Sequence, residues 1–275
     1  MTLISIVVPV FNEEVLLGNC LEAIFGQDEP AHEVIVVDNG SDDGTLAVLA
    51  GYQGRLILLH EPRPGVHHAR SRGLDAATGD VIGRIDADTR LAPGWTRAVR
   101  ETFTGPVVQA ATGPVRYYDI AASRLVDSGD ALFRQASSRR SLDWLLGANM
   151  AVRAAAWHWI RDGLCTDAEV HEDIDLGIHL HREGLTVVFA GAMRAGTSAR
   201  RIANRFRDYR AYALLTEKTY QRHGYAYRRA WIVTRLQLLL FPLLRLVYAL
   251  AQPRPWTALR GDGGRVSAMR PRRSS

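Results

Sequence analysis

The sequence predicts an α/β protein, a mostly parallel sheet flanked by helices, followed by a C-terminal helical extension. Three observations carry this. Short β-branched apolar runs recur at Ile4–Val10, Val34–Val37, Leu56–Leu59 and Val81–Ile85, the pattern of strands buried on both faces. Stretches of helical character separate them, and such alternation implies parallel pairing. After residue 195 the composition changes: Arg200 to Arg229 is rich in arginine and tyrosine, and Leu236 to Ala251 is strongly apolar.

Taken in order, Ile4-Ser5-Ile6-Val7-Val8-Pro9-Val10 is the first strand. Asn12-Glu13-Glu14 then opens a helix running to about Phe25, with an asparagine cap and acids in its first turn. The second strand ends at Asp38-Asn39-Gly40-Ser41-Asp42-Asp43-Gly44, and Thr45 to Ala50 is the next helix. Leu56–Leu59 is the third strand, Val66–Ala77 a helix, and Val81–Ile85 the fourth strand. Between Pro93 and Val115 the pattern is mixed. Residues 119–145 read as helical, and Leu146–Val152 as a loop leading into a strand. His171-Glu172-Asp173 precedes a short helix ending at Gly184, and Thr186–Ala190 is the last strand. The expected organisation is one domain over 1–195, with halves 1–90 and 91–195, and a helical extension with a basic tail over 196–275.

With 275 residues, 47% of them hydrophobic, the chain has enough apolar material for one large core. A charged fraction of 23% excludes a disordered or fibrous body. The net charge of +5 is uneven, because Arg270-Pro271-Arg272-Arg273-Ser274-Ser275 holds three arginines and no acid. Such a tail reads as a solvated end or as a contact for anionic lipid; no fold signal for nucleic acid accompanies it. Cys20 and Cys165 form no metal or redox spacing and fit a reducing compartment. The first residues run into a strand without a basic n-region or small-residue cleavage site, so no signal peptide is expected and cytoplasm is the default.

The chemistry concentrates at strand ends. In open sheets of this kind ligands bind beyond the carboxyl ends of the strands, and there the sequence places Asn12-Glu13, Asp38, and Asp86 with Asp88. Two carboxylates two residues apart suit a hard divalent cation bound through oxygens, which completes its shell with water and substrate phosphates. A nucleotide diphosphate is the partner this combination implies.

Together these segments resemble the family 2 glycosyltransferases, of the Rossmann-like GT-A fold, over roughly residues 3–195. The resemblance rests on Ile6-Val7-Val8-Pro9-Val10-Phe11-Asn12-Glu13-Glu14, Val36-Val37-Asp38 through Thr45, Ala69-Arg70-Ser71-Arg72-Gly73, Gly79-Asp80 with Ile85-Asp86-Ala87-Asp88, and Glu172-Asp173. It implies an inverting transferase that uses Mg²⁺ or Mn²⁺, a nucleotide-diphosphate sugar donor and an acceptor hydroxyl of unknown identity. By resemblance Asp88 is the metal carboxylate, and Asp86 lies near the ribose and the metal. Asp38 meets the base, Arg70 the base or phosphate, and Pro9 and Phe11 shape the nucleotide pocket. Glu13 either holds the nucleoside or favours a helix start. Asp173, with Glu172, matches the catalytic pair, since sugar transfer with inversion needs a carboxylate to take the acceptor proton. Asn149 belongs to a Gly147-Ala148-Asn149 loop under the sugar and acceptor. Processive members carry Gln-x-x-Arg-Trp after the Glu-Asp pair. Here the stretch is Thr197-Ser198-Ala199-Arg200-Arg201, which argues for addition of a single sugar and leaves Arg200 or Arg201 to close over the diphosphate.

The extension is open to two readings. Arg235 and Arg245 bracket only nine uncharged residues, short of the ~20 that a spanning helix needs, so a transmembrane segment is rejected. An interfacial helix over 231–251, peripheral on the inner face of the cell membrane, and a helix packed on protein both fit. Two other functions are weighed: a nucleotidyltransferase, disfavoured by the acidic stretch after the first strand, and a non-catalytic nucleotide-sugar-binding scaffold. A nicotinamide oxidoreductase is disfavoured because no Gly-x-Gly-x-x-Gly follows the first strand.

Overall fold

The computed structural model of the protein describes residues 1–120, 141–166, 169–225 and 228–251. Its centre is a seven-stranded sheet of β1 (Ile4–Val10), β2 (Glu33–Asp38), β3 (Ile57–His60), β4 (Val81–Arg84), β6 (Val108–Thr112), β8 (Met150–Arg153) and β9 (Thr186–Phe189). The spatial order is β3-β2-β1-β4-β8-β6-β9. All neighbours pair in parallel except β8, which runs antiparallel to both β4 and β6. A small second sheet joins β5 (Arg90–Leu91), β10 (Ala195–Thr197) and β7 (Val115–Tyr117).

The apolar runs explain the layers. Successive side chains of a strand point to opposite faces, so both faces of β1 demand cover. Ile4, Ile6 and Val8 pack with Leu17, Leu21, Leu49 and Trp95 from α1 (Leu17–Phe25), α2 (Thr45–Ala50) and α4 (Trp95–Thr102). Val7 turns the other way, toward Ala69, Leu74, Trp157 and Leu176 from α3 (Val66–Ala76), α5 (Ala154–Ile160) and α6 (Glu172–Arg182). Ile4, Ile6, Val7 and Val8 are all fully buried, each contributing roughly 1.5–3 kcal/mol of transfer free energy. From β1 the chain winds outward through β2 to β3, then returns to the other side as β4. That reversal opens a crevice beyond the carboxyl ends of β1 and β4, where such sheets bind ligands.

Pro9 sits within a central strand because of register. The carbonyl of Val7 accepts from Ile85 and that of Val10 from Asn39, so odd-numbered residues of β1 face β4. The ladder with β4 ends at Val7 and Arg84, and the N–H that Pro9 lacks points past that end.

Three expectations change. α1 begins at Leu17 rather than at Asn12, which adopts a left-handed φ of 55°. The Asn12 side chain donates to Asp42 at 2.7 Å and accepts from the Asp42 N–H at 2.9 Å; it ties the first strand's exit to the second's, a role that competes with capping. Of the helix expected over 119–145, residues 121–140 lie outside the described residues, and the described ends are not helical. The basic tail also lies outside them.

The third change concerns the extension, formed by α7 (Phe206–Arg222) and α8 (Arg228–Ala251). The helix continues through both Arg235 and Arg245, and Ala230–Ala251, with mean hydropathy 1.6, is long and apolar enough to cross a membrane by length and composition. The nine-residue limit therefore fails as a bound. Arg235 is neutralised by Glu217, at 2.9 and 3.3 Å, and does not interrupt the helix. α8 packs on α7 through Phe241, whose ring lies tilted 4.5 Å from that of Tyr209, and meets the body through Tyr248 beside Ile120, Ala199 and Ile202.

Close packing of α3 on the sheet gives a test. A Cβ on Gly73 would stand 2.4 Å from Val7 Cγ1 and 2.9 Å from Val37 Cγ2. Gly73→Ala is expected to cost about 1–3 kcal/mol of stability, read as a lower urea midpoint; an unchanged midpoint would refute this account of the packing.

Candidate active site

Each strand that reaches the crevice delivers an acid. Beyond β1, Glu13 is held by its backbone: its N–H donates to Thr45 Oγ1 at 2.8 Å, and its carbonyl accepts from Leu16 and Leu17. Beyond β2, Asp38 is 2% exposed; its carboxylate accepts from the Gly40 and Ser41 N–H groups at 3.2 and 3.1 Å and lies 3.1 Å from His60 Nδ1. It thus shapes its own loop while standing at the crevice floor. Beyond β4 come Asp86 and Asp88. Pro9 is buried in β1 and Phe11 half-buried at its exit, so both contribute shape rather than charge.

Arginines make this gathering of carboxylates tolerable. Asp86 Oδ1 accepts from Arg84 Nη2 at 2.9 Å and from Arg70 Nη2 at 3.2 Å. Arg70 also pairs with Glu172, and Arg84 comes within 4.0 Å of it. Burial alone would raise the Asp86 carboxyl, yet Arg84, Arg70 and Arg201 hold it below its ordinary value. For Arg70 the reverse holds: burial, with Arg84 adding to it, pulls the guanidinium down to about 10. A second network joins Glu13, Arg200 and Asp88. Arg200 donates to Glu13 Oε1 and brings its Nε to 3.3 Å from Asp88 Oδ2. Thr197 donates to Asp88 Oδ1 at 3.1 Å, and Tyr118 to the Asp88 carbonyl at 3.0 Å. The strap bearing Arg200 is anchored by Asp119, which accepts from Ser198 Oγ at 2.6 Å and the Ala199 N–H at 2.8 Å.

Across the crevice, α6 presents Asp173 in its first turn. The carboxylate accepts from the Gly147 N–H at 2.7 Å and the Ile174 N–H at 2.9 Å. A Cβ at Gly147 would come within 2.0 Å of Arg84 Nη1, so glycine is what lets this loop lie between Arg84 and Asp173. A cleft opens alongside, lined by Arg70, Arg84, Met150, Trp157, Glu172 and Asp173 among others.

One expected ligand contact is corrected. Asn149 is fully buried, and its side chain is spent: Nδ2 donates to the Pro114 and Met193 carbonyls at 3.0 and 2.6 Å, while Oδ1 accepts from Trp95 Nε1 at 2.8 Å. It fastens the loop carrying Gly147 to Pro114, Met193 and Trp95. Of the other expected residues, ion pairs join Glu13, Arg200 and Asp88 in one network and Asp86, Arg70 and Glu172 in another, next to Asp173; Asp38 stands apart from both, among Gly40, Ser41 and His60. The sequence reading missed Arg84, Thr197, Tyr118 and Asp119. Arg84 carried a signal, as the one charge inside an apolar strand run; the others are joined to Asp88 only by long-range folding.

The donor set fits a divalent ion. Asp86 and Asp88 are hard oxygen donors, and Glu13 Oε2 is buried without a hydrogen-bond partner beside them. Burial, then Asp86, pushes the Asp88 carboxyl above its ordinary value, with Arg200 opposing. Burial likewise raises Glu13 despite its Arg200 contact.

Comparison with known proteins places these features. The family model described as Glycosyl transferase family 2 matches residues 5–156, and that of Glycosyl transferase family group 2 matches residues 81–259. Glycosyltransferase AglE of Haloferax volcanii is 31% identical over 42% of this chain and 40% of its own length. The undecaprenyl-phosphate 4-deoxy-4-formamido-L-arabinose transferase of Aeromonas hydrophila is 29% identical over 59% of this chain and 52% of its own. The chain thus spans about half or less of these relatives. Among solved structures, the mannosyltransferase PcManGT of Pyrobaculum calidifontis, in complex with GDP-Man and Mn²⁺, superposes with a TM-score of 0.66 at 24% identity, covering 95% of this chain and 76% of that one. Glucosyl-3-phosphoglycerate synthase of Mycobacterium tuberculosis, with Mn²⁺, UDP and phosphoglyceric acid, gives 0.51 at 20% identity over 79% and 78% of the two chains. These likenesses establish the fold.

A raised carboxyl contributes stability below its unfolded value of about 4 and loses it as pH rises through the folded value. Asp88→Asn removes that loss. Its melting temperature at pH 7 is therefore expected to equal or exceed that of the parent, while Mn²⁺-dependent nucleotide binding disappears; a lower melting temperature would mark Asp88 as a structural acid instead.

Proposed function

The chain belongs to glycosyl transferase family 2, and from that premise we propose that it is a glycosyltransferase that moves a single sugar, with inversion, from a nucleotide-diphosphate donor to an acceptor hydroxyl. What supports this reading is that Arg200 links Glu13 to Asp88 and Arg70 and Arg84 link Asp86 to the helix start that bears Glu172 and Asp173, with Asp38 at the end of the strand beside β1.

Asp38 and Arg70 take the nucleoside side, and Asp86 the ribose. Asp88 and Asp86 would hold Mg²⁺ or Mn²⁺, which when bound neutralises the diphosphate and improves it as a leaving group; the Mn²⁺ in two neighbouring structures supports this. Arg200 sits where it can exchange Asp88 for the diphosphate oxygens. Asp173, oriented by two N–H donors, takes the acceptor proton as that oxygen attacks the anomeric carbon opposite the departing diphosphate. The transition state has oxocarbenium character, as in glycoside hydrolysis. The cleft between α3, α5 and α6 receives the acceptor. Absence of the Gln-x-x-Arg-Trp pattern favours a single addition.

The acceptor is proposed to be lipid-linked. Trp231, Leu236, Leu239, Leu243, Leu246 and Leu250 of α8 are exposed, a face suited to the bilayer interface, and the Aeromonas relative is named for an undecaprenyl-phosphate substrate.

Calorimetric titration of UDP and GDP, with and without Mn²⁺, tests the donor site. One nucleotide is expected to bind only with metal and to be lost in Asp88→Ala; binding of neither would sink the donor assignment. Asp173→Asn is expected to lower kcat by about 10²–10⁴-fold with nucleotide affinity retained, and near-normal turnover would remove Asp173 as the base. For α8, the double variant Leu239→Glu, Leu243→Glu should no longer float with anionic vesicles; unchanged flotation would dismiss the lipid face.

A further inference from the structure

The catalytic reading uses the first turn of α6 and leaves a second cluster unused one turn further on. Asp175 and His179 stand one helical turn apart on α6, Cys165 comes from the loop before it, and His223 follows the last residue of α7. Asp175 Oδ1 lies 2.6 Å from His223 Nε2 and 3.6 Å from His179 Nε2, and Cys165 Sγ lies 3.8 Å from His223 Nε2. All four ligand atoms fall within 4.8 Å of one another. A tetrahedral zinc ion, with bonds of about 2.0–2.3 Å, separates its ligands by roughly 3.3–3.8 Å. The cluster is already near that size, and only the hydrogen-bonded pair Asp175 and His223 is drawn closer.

Burial and chemistry agree with the spacing. The side chain of Asp175 is 1% exposed and that of His223 5%. His179 Nε2 is buried with no hydrogen-bond partner, an unspent ring nitrogen beside the Asp175 carboxylate. The donor set of one thiol, two imidazoles and one carboxylate differs from the all-oxygen set at Asp86 and Asp88, and suits a borderline-soft ion. With the thiol ionised, its charge and that of Asp175 cancel those of a divalent ion, leaving a neutral complex in a mostly buried place.

We propose that Cys165, Asp175, His179 and His223 bind a structural zinc ion that fastens the end of α7 to the helix carrying Asp173. Loading releases the Cys165 thiol proton to solvent. It also moves the His223 proton: Arg182 Nη1, which can only donate, lies 3.0 Å from Nδ1, so the metal-free ring carries its hydrogen on Nε2, toward Asp175. In the zinc form that hydrogen sits on Nδ1, and the exposed Arg182 keeps its bond to the His223 carbonyl. His223 lies on another helix, far along the chain from the other three, which is why no complete metal spacing appears in the sequence.

Cobalt substitution of the full chain, stripped with chelator and reloaded with Co²⁺, tests this. A tetrahedral site with a thiolate gives a sulfur-to-cobalt charge-transfer band and intense visible bands, whereas an all-oxygen site gives neither. The expected result is a band in the parent chain, retained in Asp88→Ala, lost in Cys165→Ser with far-UV circular dichroism unchanged, and bleached by Zn²⁺. Absence of the band in the parent, or its survival in Cys165→Ser, overturns the proposal. Should Cys165→Ser fail to fold, the parent spectrum decides alone. Zn²⁺ should also raise the melting temperature of the parent and not of His179→Ala.

Discussion

Like charges brought together at the mouth of a sheet repel, and the rest of this site depends on how that repulsion is met. Glu13, Asp86, Asp88 and Glu172 crowd one crevice, and Arg70, Arg84 and Arg200 thread between them. A paired buried charge is tolerable, whereas one stripped of its partner costs several kcal/mol. Balance is incomplete by design of the geometry: Asp86 is held ionised, while Asp88 and Glu13 are pushed toward their neutral forms. The well-compensated acid is fixed in place by its arginines, and burial leaves the other two only partly compensated.

The sheet was legible because its signals are local. Ile4–Val10 and Val81–Ile85 announce buried strands by residue type alone, and their polar ends locate the crevice. Antiparallel β8 between β4 and β6 was not legible, nor was the small sheet of β5, β7 and β10, since two- and three-residue strands exist only through their partners. Asn12 illustrates the limit. It looks like a helix cap and instead spends its side chain across 30 residues, on Asp42. Asn149 shows the same limit within the site: residue type suggested a ligand contact, and full burial made it a fastener for Trp95, Pro114 and Met193. Charge bracketing misled for α8, where Glu217 on a neighbouring helix cancels Arg235.

The position of β8 carries a consequence for how the protein holds together. β8 is hydrogen-bonded along one edge to β4, from residues 1–90, and along the other to β6, from residues 91–195. Every route through the sheet between the two halves passes through that strand. Separating the two parts of the sheet exposes the unpaired backbone donors and acceptors of that ladder. A fragment ending near residue 90 would present the bare flank of β4 to solvent and to other copies of itself, so the piece that carries Glu13, Asp38, Asp86 and Asp88 would also carry an open edge suited to pairing between copies.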